Sequence, residues 1–350
     1  MSIIHLTPPK KDRASHDIVV EAGASKKNGT LITSLGSFDA VIVLHDTNVR
    51  LIAQQICASI PGAKQIEIPH GDSSKSLSQI EKITEQMLAL GCTRRTILIT
   101  VGGGMITDLG GFVASIFMRG IPFMHVPTSL LAMVDAAIGG KTGVNAAGAK
   151  NILGTINFPQ AVVIDTDFLR DLPDALLHEG LVEVVKIAAM RDKKFFEWLE
   201  KNLAQVLQKD EVSLTHCVTT AISLKAKTVE EDDSDTLVRL YLNFGHTVAH
   251  AVEALSQYSL SHGKAVSIGM IAEMKMAEFT ETDRVKLLLQ QLTMPVAIPA
   301  EFKKDDVWNL MKNDKKNTKG DIRIAVPKKL GEGEVRSIQK EDFDSLFSQK

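Results

Sequence analysis

Residues 95–101, Arg-Thr-Ile-Leu-Ile-Thr-Val, are apolar or β-branched at nearly every position and run straight into Gly102-Gly103-Gly104. A strand that is apolar on both faces has to be covered on both sides, which is the condition of a parallel sheet between helices. The surrounding pattern has the same period. Residues 40–44, 65–69, 123–126 and 161–165 read as further buried strands, and 48–60, 76–90 and 106–118 as amphipathic helices between them. Strands alternating with helices predict βαβ units and a doubly wound sheet, with ligands taken at the carboxyl ends of the strands.

Beyond about residue 173 the pattern changes. Residues 176–190, 194–207, 212–228, 240–255 and 265–279 all read as helices, and strand signals return only at 321–326 and 334–338. The expected division is an α/β domain over 1–172 and a mainly helical domain over 173–350, which a chain of 350 residues can support with two cores. A formal net charge of -2 gives no electrostatic case for nucleic acid or a membrane surface as partner. Cys57, Cys92 and Cys217 have no metal-type spacing and read as reduced thiols. The start of the chain lacks a signal-peptide pattern, and no apolar run approaches the roughly 20 residues that span a bilayer, so a cytoplasmic protein is expected. The acidic run at 230–233 reads as a solvated loop.

Several stretches carry chemistry. The glycines at 102–104, opening a helix, can present backbone N–H groups and a helix dipole to a phosphate, with Asp108 in the early helix; a plain strand-to-helix turn explains them equally. Asp46 and Asn48 end an earlier strand, where an acid can hold a ribose hydroxyl or simply cap a turn. Residues 134–145 and 148–154 form a glycine-rich polar loop carrying Asp135, Lys141 and Lys150, the composition of an anion site. Glu183 and Lys186 share a face of an otherwise apolar helix and need a partner or a metal if buried. Three of the ten histidines, His246, His250 and His262, fall in one short span. Glu183, His246 and His262 would make a three-ligand site with an open position; His246 and His250, four apart on a helix, are the competing pair, and spacing does not decide between them. With the helix drawn over 240–255, Arg239, Asn243, His246 and His250 form a polar stripe along one face.

Taken together, residues 102–108, 118–120, 127–132, 134–145, 150–151, 183–186, 239–250, 262–266 and 314–316 resemble, in order, the 3-dehydroquinate synthase family of sugar-phosphate cyclases. The resemblance implies a Rossmann-like NAD-binding domain, a helical metal- and substrate-binding domain and an active site in the cleft between them. It implies NAD, one divalent metal (zinc or cobalt) and a lyase of the shikimate pathway that converts 3-deoxy-D-arabino-heptulosonate 7-phosphate to 3-dehydroquinate and phosphate. The implied course is transient oxidation, phosphate elimination, reduction, ring opening and aldol closure.

By that resemblance Glu183, His246 and His262 hold the metal and His250 transfers protons. Asp135, Lys141, Asn151, Lys186, Lys225, Arg239, Asn243 and Lys315 or Lys316 hold substrate, and Arg119 reaches the phosphate of a neighbouring subunit in a homodimer. Asp46, Asn48, Asp72, Lys75, Gly103, Gly104, Asp108, Thr128, Ser129, Leu131 and Lys150 match NAD-contacting positions. The chain departs from the family pattern at Thr107, Asp72, Ala136, Ala137, Asp171, Asp235, Ala175 and Leu176. The alternatives are another cyclase, such as a 2-deoxy-scyllo-inosose or valiolone-type synthase, a more distant glycerol-dehydrogenase-like enzyme, or a non-catalytic relative. The presence of Asn243, His250 and the Lys315-Lys316 pair favours dehydroquinate.

Overall fold

The computed structural model describes residues 1–8, 15–231, 238–312 and 322–347. Lys315, Lys316 and Asp235 lie outside the described residues. The chain forms two compact units, Met1–Leu172 with Leu214–Glu230, and Pro173–Ser213 with Glu231–Lys350. This differs from a single division at residue 172: one helical segment from the second half of the sequence packs with the first unit.

The first unit is built on a seven-stranded sheet. Its strands are β1 (Ser2–Leu6), β2 (His16–Val20), β3 (Ala40–Asp46), β4 (Lys64–Ile68), β5 (Thr96–Gly102), β6 (Phe123–Pro127) and, after a hairpin, β9 (Ala161–Ile164). The order is β1-β2-β9-β6-β5-β3-β4, parallel throughout except for β1 against β2. All seven residues of β5 are buried, and alternate side chains feed separate cores on the two faces. Ile42, Leu44 and Leu98 pack under α3 (Leu77–Ala89) and α4 (Gly104–Ile116). Val43, Ile97, Ile99 and Val101 pack under α1 (Asn28–Leu35) and α2 (Arg50–Ala58). The chain leaves β3 to one side for β4 and returns to the other side for β5, so the order reverses between β3 and β5. A crevice outside the strand ends at such a reversal is where doubly wound sheets take ligands. Asp46 and Gly102 sit at those two ends.

The glycine-rich stretch expected as a loop is ordered. Residues Ala132–Ala136 form one π-helical turn, and a hairpin follows, β7 (Lys141–Ala146) and β8 (Ala149–Ile156). Its glycines permit close strand contact: a Cβ on Gly143 would lie 2.6 Å from the Leu153 carbonyl oxygen. Composition therefore imitated a loop where the backbone pairs.

The second unit is mainly helical: α5 (Asp174–Arg191), α6 (Lys193–Leu207), the start of α7 (Glu211–Glu231), α8 (His246–Leu255), α9 (His262–Met276), α10 (Thr282–Gln291), α11 (Lys304–Lys312) and α12 (Lys340–Ser345). An antiparallel pair, β10 (Ile322–Lys329) and β11 (Glu332–Ile338), completes it. α9 is buried along almost its whole length and packs against α5 and α8. The helix expected over 240–255 is interrupted. Val238–Asn243 is a 3-10 helix, and Gly245, at φ 81°, breaks the chain before α8 begins at His246. Arg239 and Asn243 therefore do not continue one helical face with His246 and His250. Glycine suits this position twice over: its φ is left-handed, and α9 passes so close that a Cβ would lie 2.7 Å from Met270 Cγ and 2.9 Å from Val266 O. Among the described residues no helix is long and apolar enough to cross a membrane. The three cysteines form no disulfide, and burial pushes the Cys217 thiol up to about 12.

Candidate active site

In the second unit, three elements converge. Glu183 comes from the middle of α5, His246 is the first residue of α8 and His262 the first of α9. One ligand atom from each lies within 4.8 Å of the others. The Glu183 carboxylate is buried, and His262 Nε2 is 3.7 Å from its Oε1. A small residue brings α9 to α5: a Cβ on Gly263 would meet Glu179 Cβ at 2.7 Å. A buried carboxylate and two imidazoles are a donor set suited to zinc or a similar divalent ion, with coordination left for a substrate oxygen. Burial lowers the His262 pKa, but the Glu183 and Glu253 carboxylates outweigh it and carry the imidazole up to about 10. That balance describes a pocket that favours a cation, whether proton or metal.

Of the other residues expected in this unit, Lys186 and His250 adjoin the cluster. Lys186 is buried, paired with Glu183, and donates from Nζ to the Leu242 carbonyl at 2.7 Å. Arg239 is buried in the 3-10 helix and Asn243 closes that helix. His250 is exposed, its ring 5.7 Å from that of His246 and nearly perpendicular to it. The His246 and His262 rings are 5.2 Å apart. The metal-type cluster is thus His246 with His262 and Glu183, and His250 stands beside it.

In the first unit, Gly103 caps α4 at the end of β5. A Cβ there would meet Ser129 Oγ at 3.4 Å, an ordinary contact, and one on Gly104 would meet Ala136 Cβ at 3.3 Å, slightly tight. Such a helix start fits the diphosphate of a dinucleotide. Thr128 donates its N–H to Gly102 O at 2.9 Å, and Ser129 Oγ accepts from the Ala132 N–H at 3.3 Å, which fixes the start of the helical turn that carries Leu131. Asp46 accepts the Asn48 N–H at 2.8 Å at the end of β3.

Lys75 is buried, pairs with Asp108 at 2.6 Å and also contacts the Asn151 side chain. Burial raises the Asp108 pKa and Lys75 opposes the rise. Asp72 accepts from Asn145 at 3.1 Å and lies 3.9 Å from Lys150 Nζ. The hairpin is thereby tied to the 72–76 turn, and Asn145 N donates to Lys75 O at 2.9 Å. Lys225, from α7, pairs with the Asp135 carboxylate and donates to its carbonyl at 2.6 Å. Lys141 and Arg119 are exposed. Met118 and Arg119 both have left-handed backbones, at φ 48° and 72°, a strained pair that presents the arginine. Thr107, one of the departures, is buried and returns its hydroxyl to Gly104 O at 3.0 Å, inside the turn rather than in the way of it.

The chain is similar to known proteins along most of its length. Residues 65–179 match the model described as 3-dehydroquinate synthase N-terminal, and residues 180–317 the one described as 3-dehydroquinate synthase C-terminal. A 3-dehydroquinate synthase of Pseudoalteromonas translucida is 38% identical over 330 residues, covering 92% of this chain and 93% of that protein. The chain belongs to the 3-dehydroquinate synthase family. A second member, from Blochmanniella floridana, is 37% identical over 334 residues, covering 92% of each chain. Among solved structures, a 2-epi-5-epi-valiolone synthase from Streptomyces hygroscopicus, with NAD+ and Zn2+ bound, matches with a TM-score of 0.86 at 26% identity, covering 96% of both chains.

Sequence reasoning overlooked two buried carboxylates at the family's histidine helices. Glu273 on α9, fully buried, accepts N–H groups from Gly245 at 2.7 Å, Thr247 at 3.0 Å and Val248 at 3.2 Å, and so anchors the start of α8 at His246. Glu253, 3% exposed, faces His262. Each had a faint signal. Glu253 is seven residues from His246 and three from His250, on their face of the helix, and Glu273 is an acid flanked by Ala272 and Met274 in an apolar run.

Proposed function

We propose that this chain converts 3-deoxy-D-arabino-heptulosonate 7-phosphate to 3-dehydroquinate and phosphate, with NAD and one divalent metal, zinc or cobalt. The observation that carries the reading is the convergence of Glu183, His246 and His262 in a chain of this family. Those three residues would hold the metal, which supplies polarisation of a substrate hydroxyl and of the ketone it becomes. The turn at Gly103 and Gly104, with Asp46, Asn48, Asp72, Lys75, Asp108, Thr128, Ser129, Leu131 and Lys150, would hold NAD, which supplies a transient oxidation at a ring carbon and is restored within the turnover.

The chain's own residues bind, orient and move protons. Arg239 offers a planar fork suited to a carboxylate or phosphate, and Lys141, Lys186 and Lys225 supply compact positive charge. Lys186 is held by Glu183 and Leu242 O, and Lys225 by Asp135, so their ammonium groups are pre-oriented before substrate arrives. Asn151, at φ 52°, is fixed by its N–H to Asn145 Oδ1 at 3.0 Å and by Lys75, which directs its amide. Asn243 completes the polar set. His250 carries a proton to and from substrate at an exposed imidazole. Arg119 and one of Lys315 or Lys316 are assigned to the substrate phosphate and carboxylate, Arg119 from a second copy in a homodimer; its exposed, strained loop supports that reading.

The test is phosphate release. Purified protein with NAD and Zn2+ or Co2+ should release inorganic phosphate from the heptulosonate phosphate, and not from glucose 6-phosphate or sedoheptulose 7-phosphate. His262→Ala should lose bound metal and activity together. Absence of release with NAD and metal both bound would sink the assignment.

A further inference from the structure

The two imidazoles of the metal-type cluster spend their second nitrogens differently. His246 turns Nδ1 to the Phe244 carbonyl oxygen at 3.1 Å. His262 turns Nδ1 to Glu253 Oε1 at 3.4 Å, while its Nε2 faces Glu183 at 3.7 Å. Glu253 is not one of the three converging groups. It sits near the end of α8, two turns beyond His246, and is buried. A neutral imidazole has one N–H and one lone pair, and the N–H goes to the acceptor that is present. When a metal is bound, an N–H held at Nδ1 by Glu253 would leave the Nε2 lone pair to the ion, on the side where Glu183 lies.

We propose that Glu253 is a positioning residue of the metal centre: it holds His262 as the Nδ1–H tautomer, strengthens Nε2 as a donor, and supplies negative charge that offsets Lys186 beside Glu183. The inference rests on the reading of Glu183, His246 and His262 as metal ligands. Two helices begin at these histidines, and Lys186 adds a full positive charge next to Glu183. Helix starts and an ammonium both raise the potential where a divalent cation has to sit. Glu183 alone faces that charge from inside the ligand set; Glu253 faces it through the imidazole. A carboxylate hydrogen-bonded to a ligating histidine also fixes ring orientation, and losing such a partner weakens metal binding by about 10–100-fold in known metal sites. α8 thus contributes twice, a ligand at its first turn and the partner of another ligand at its last.

The experiment uses metal-stripped full-length protein. Wild type, Glu253→Ala, Glu253→Gln and His262→Ala are titrated with Zn2+ against a chromophoric chelator, with circular dichroism to check folding. Long-range proton–nitrogen spectra then read the imidazole tautomers of the zinc-loaded forms. Glu253→Ala should bind Zn2+ about 10–100-fold more weakly. Glu253→Gln keeps an acceptor for Nδ1–H without the charge, so it should recover part of the loss, and His262 should be in the Nδ1–H form in wild type. Folded Glu253 variants with wild-type zinc affinity would overturn the proposal, as would His262 ligating through Nδ1. A fall in thermal stability without a change in affinity would also overturn it, since a purely structural buried acid behaves that way. If the alanine variant does not fold, the glutamine variant decides by the same affinity comparison. Failure of wild type to bind Zn2+, or wild-type affinity in His262→Ala, would instead remove the ligand set itself.

Discussion

Glu273→Ala should loosen the start of α8 and weaken metal binding at the proposed centre without removing one of its three proposed ligands. The Glu273 carboxylate is fully buried and accepts three backbone N–H groups, at 2.7, 3.0 and 3.2 Å, around the left-handed Gly245. Alanine removes both oxygens and leaves those donors in a dry site. A buried unmet donor costs about 1–3 kcal/mol, and an acid at a helix start contributes about 0.3–2 kcal/mol more. Water entering the space left by the side chain recovers part of this, so a net loss of about 3–5 kcal/mol is expected, comparable to breaking a buried pair. For a domain of this size each kcal/mol moves the melting temperature by about 2–4 °C, so a fall of roughly 10 °C should appear in a thermal scan. Glu273→Gln retains one acceptor but turns an NH2 group toward donors, and should fall between the two. Zinc titration of the same variants should show weakened binding, since His246 opens the helix that the carboxylate anchors. An alanine variant melting within about 2 °C of wild type, a loss of under 1 kcal/mol, would refute the capping argument.

Two further outcomes follow from groups away from the metal. Burial pushes His125 down to about 3, with His16 nearby adding to the fall, and pushes His16 down to about 4 against the pull of Asp17. The folded protein keeps both rings neutral, while the unfolded chain takes up protons near the ordinary 6.5. The unfolded state thus binds more protons below that value, and stability should fall as pH drops from 6.5 toward 4, by up to about 1.4 kcal/mol per unit for each ring. In urea titrations His125→Gln should show a shallower slope, and an unchanged slope would count against the assignment. Lys225→Met, Asp135→Asn and the double variant should give a coupling of about 1–3 kcal/mol in a double-mutant cycle, because the pair joins α7 to the first unit. A coupling below about 0.3 kcal/mol would mean that the apolar stripe of α7 holds it there unaided.

Most of the sheet was legible because burial on both faces leaves an unmistakable sequence: 95–101 cannot be an exposed strand or a surface helix. The two β-strands before residue 21 and the β7–β8 hairpin were not. The first two are five residues each, and the hairpin is written in Gly, Lys and Asn, which composition alone assigns to a loop. The break at Gly245 was hidden for a different reason. Periodicity reports which side chains recur, not whether the backbone between them stays right-handed, and the close passage of α9 that excludes a Cβ at Gly245 comes from distant sequence.

The proposed metal cluster shows the same limit. Spacing offered His246 with His250 as readily as His246 with His262, because a helix places residues four apart on one side whatever their use. The choice belongs to the crossing of α5, α8 and α9, which no local pattern encodes and which Gly245 and Gly263 make close enough. Electrostatics then explains why buried acids cluster on those helices. Two helix starts and Lys186 would repel a divalent ion, and Glu183, Glu253 and Glu273 each answer one part: the ligand position, the back of His262, and the N–H groups that open α8. An isolated acid in an apolar helix, such as Glu273, is therefore the sequence signal to weigh beside the histidines, since its burial has to be compensated by a cation or by donors such as the N–H groups of a helix start.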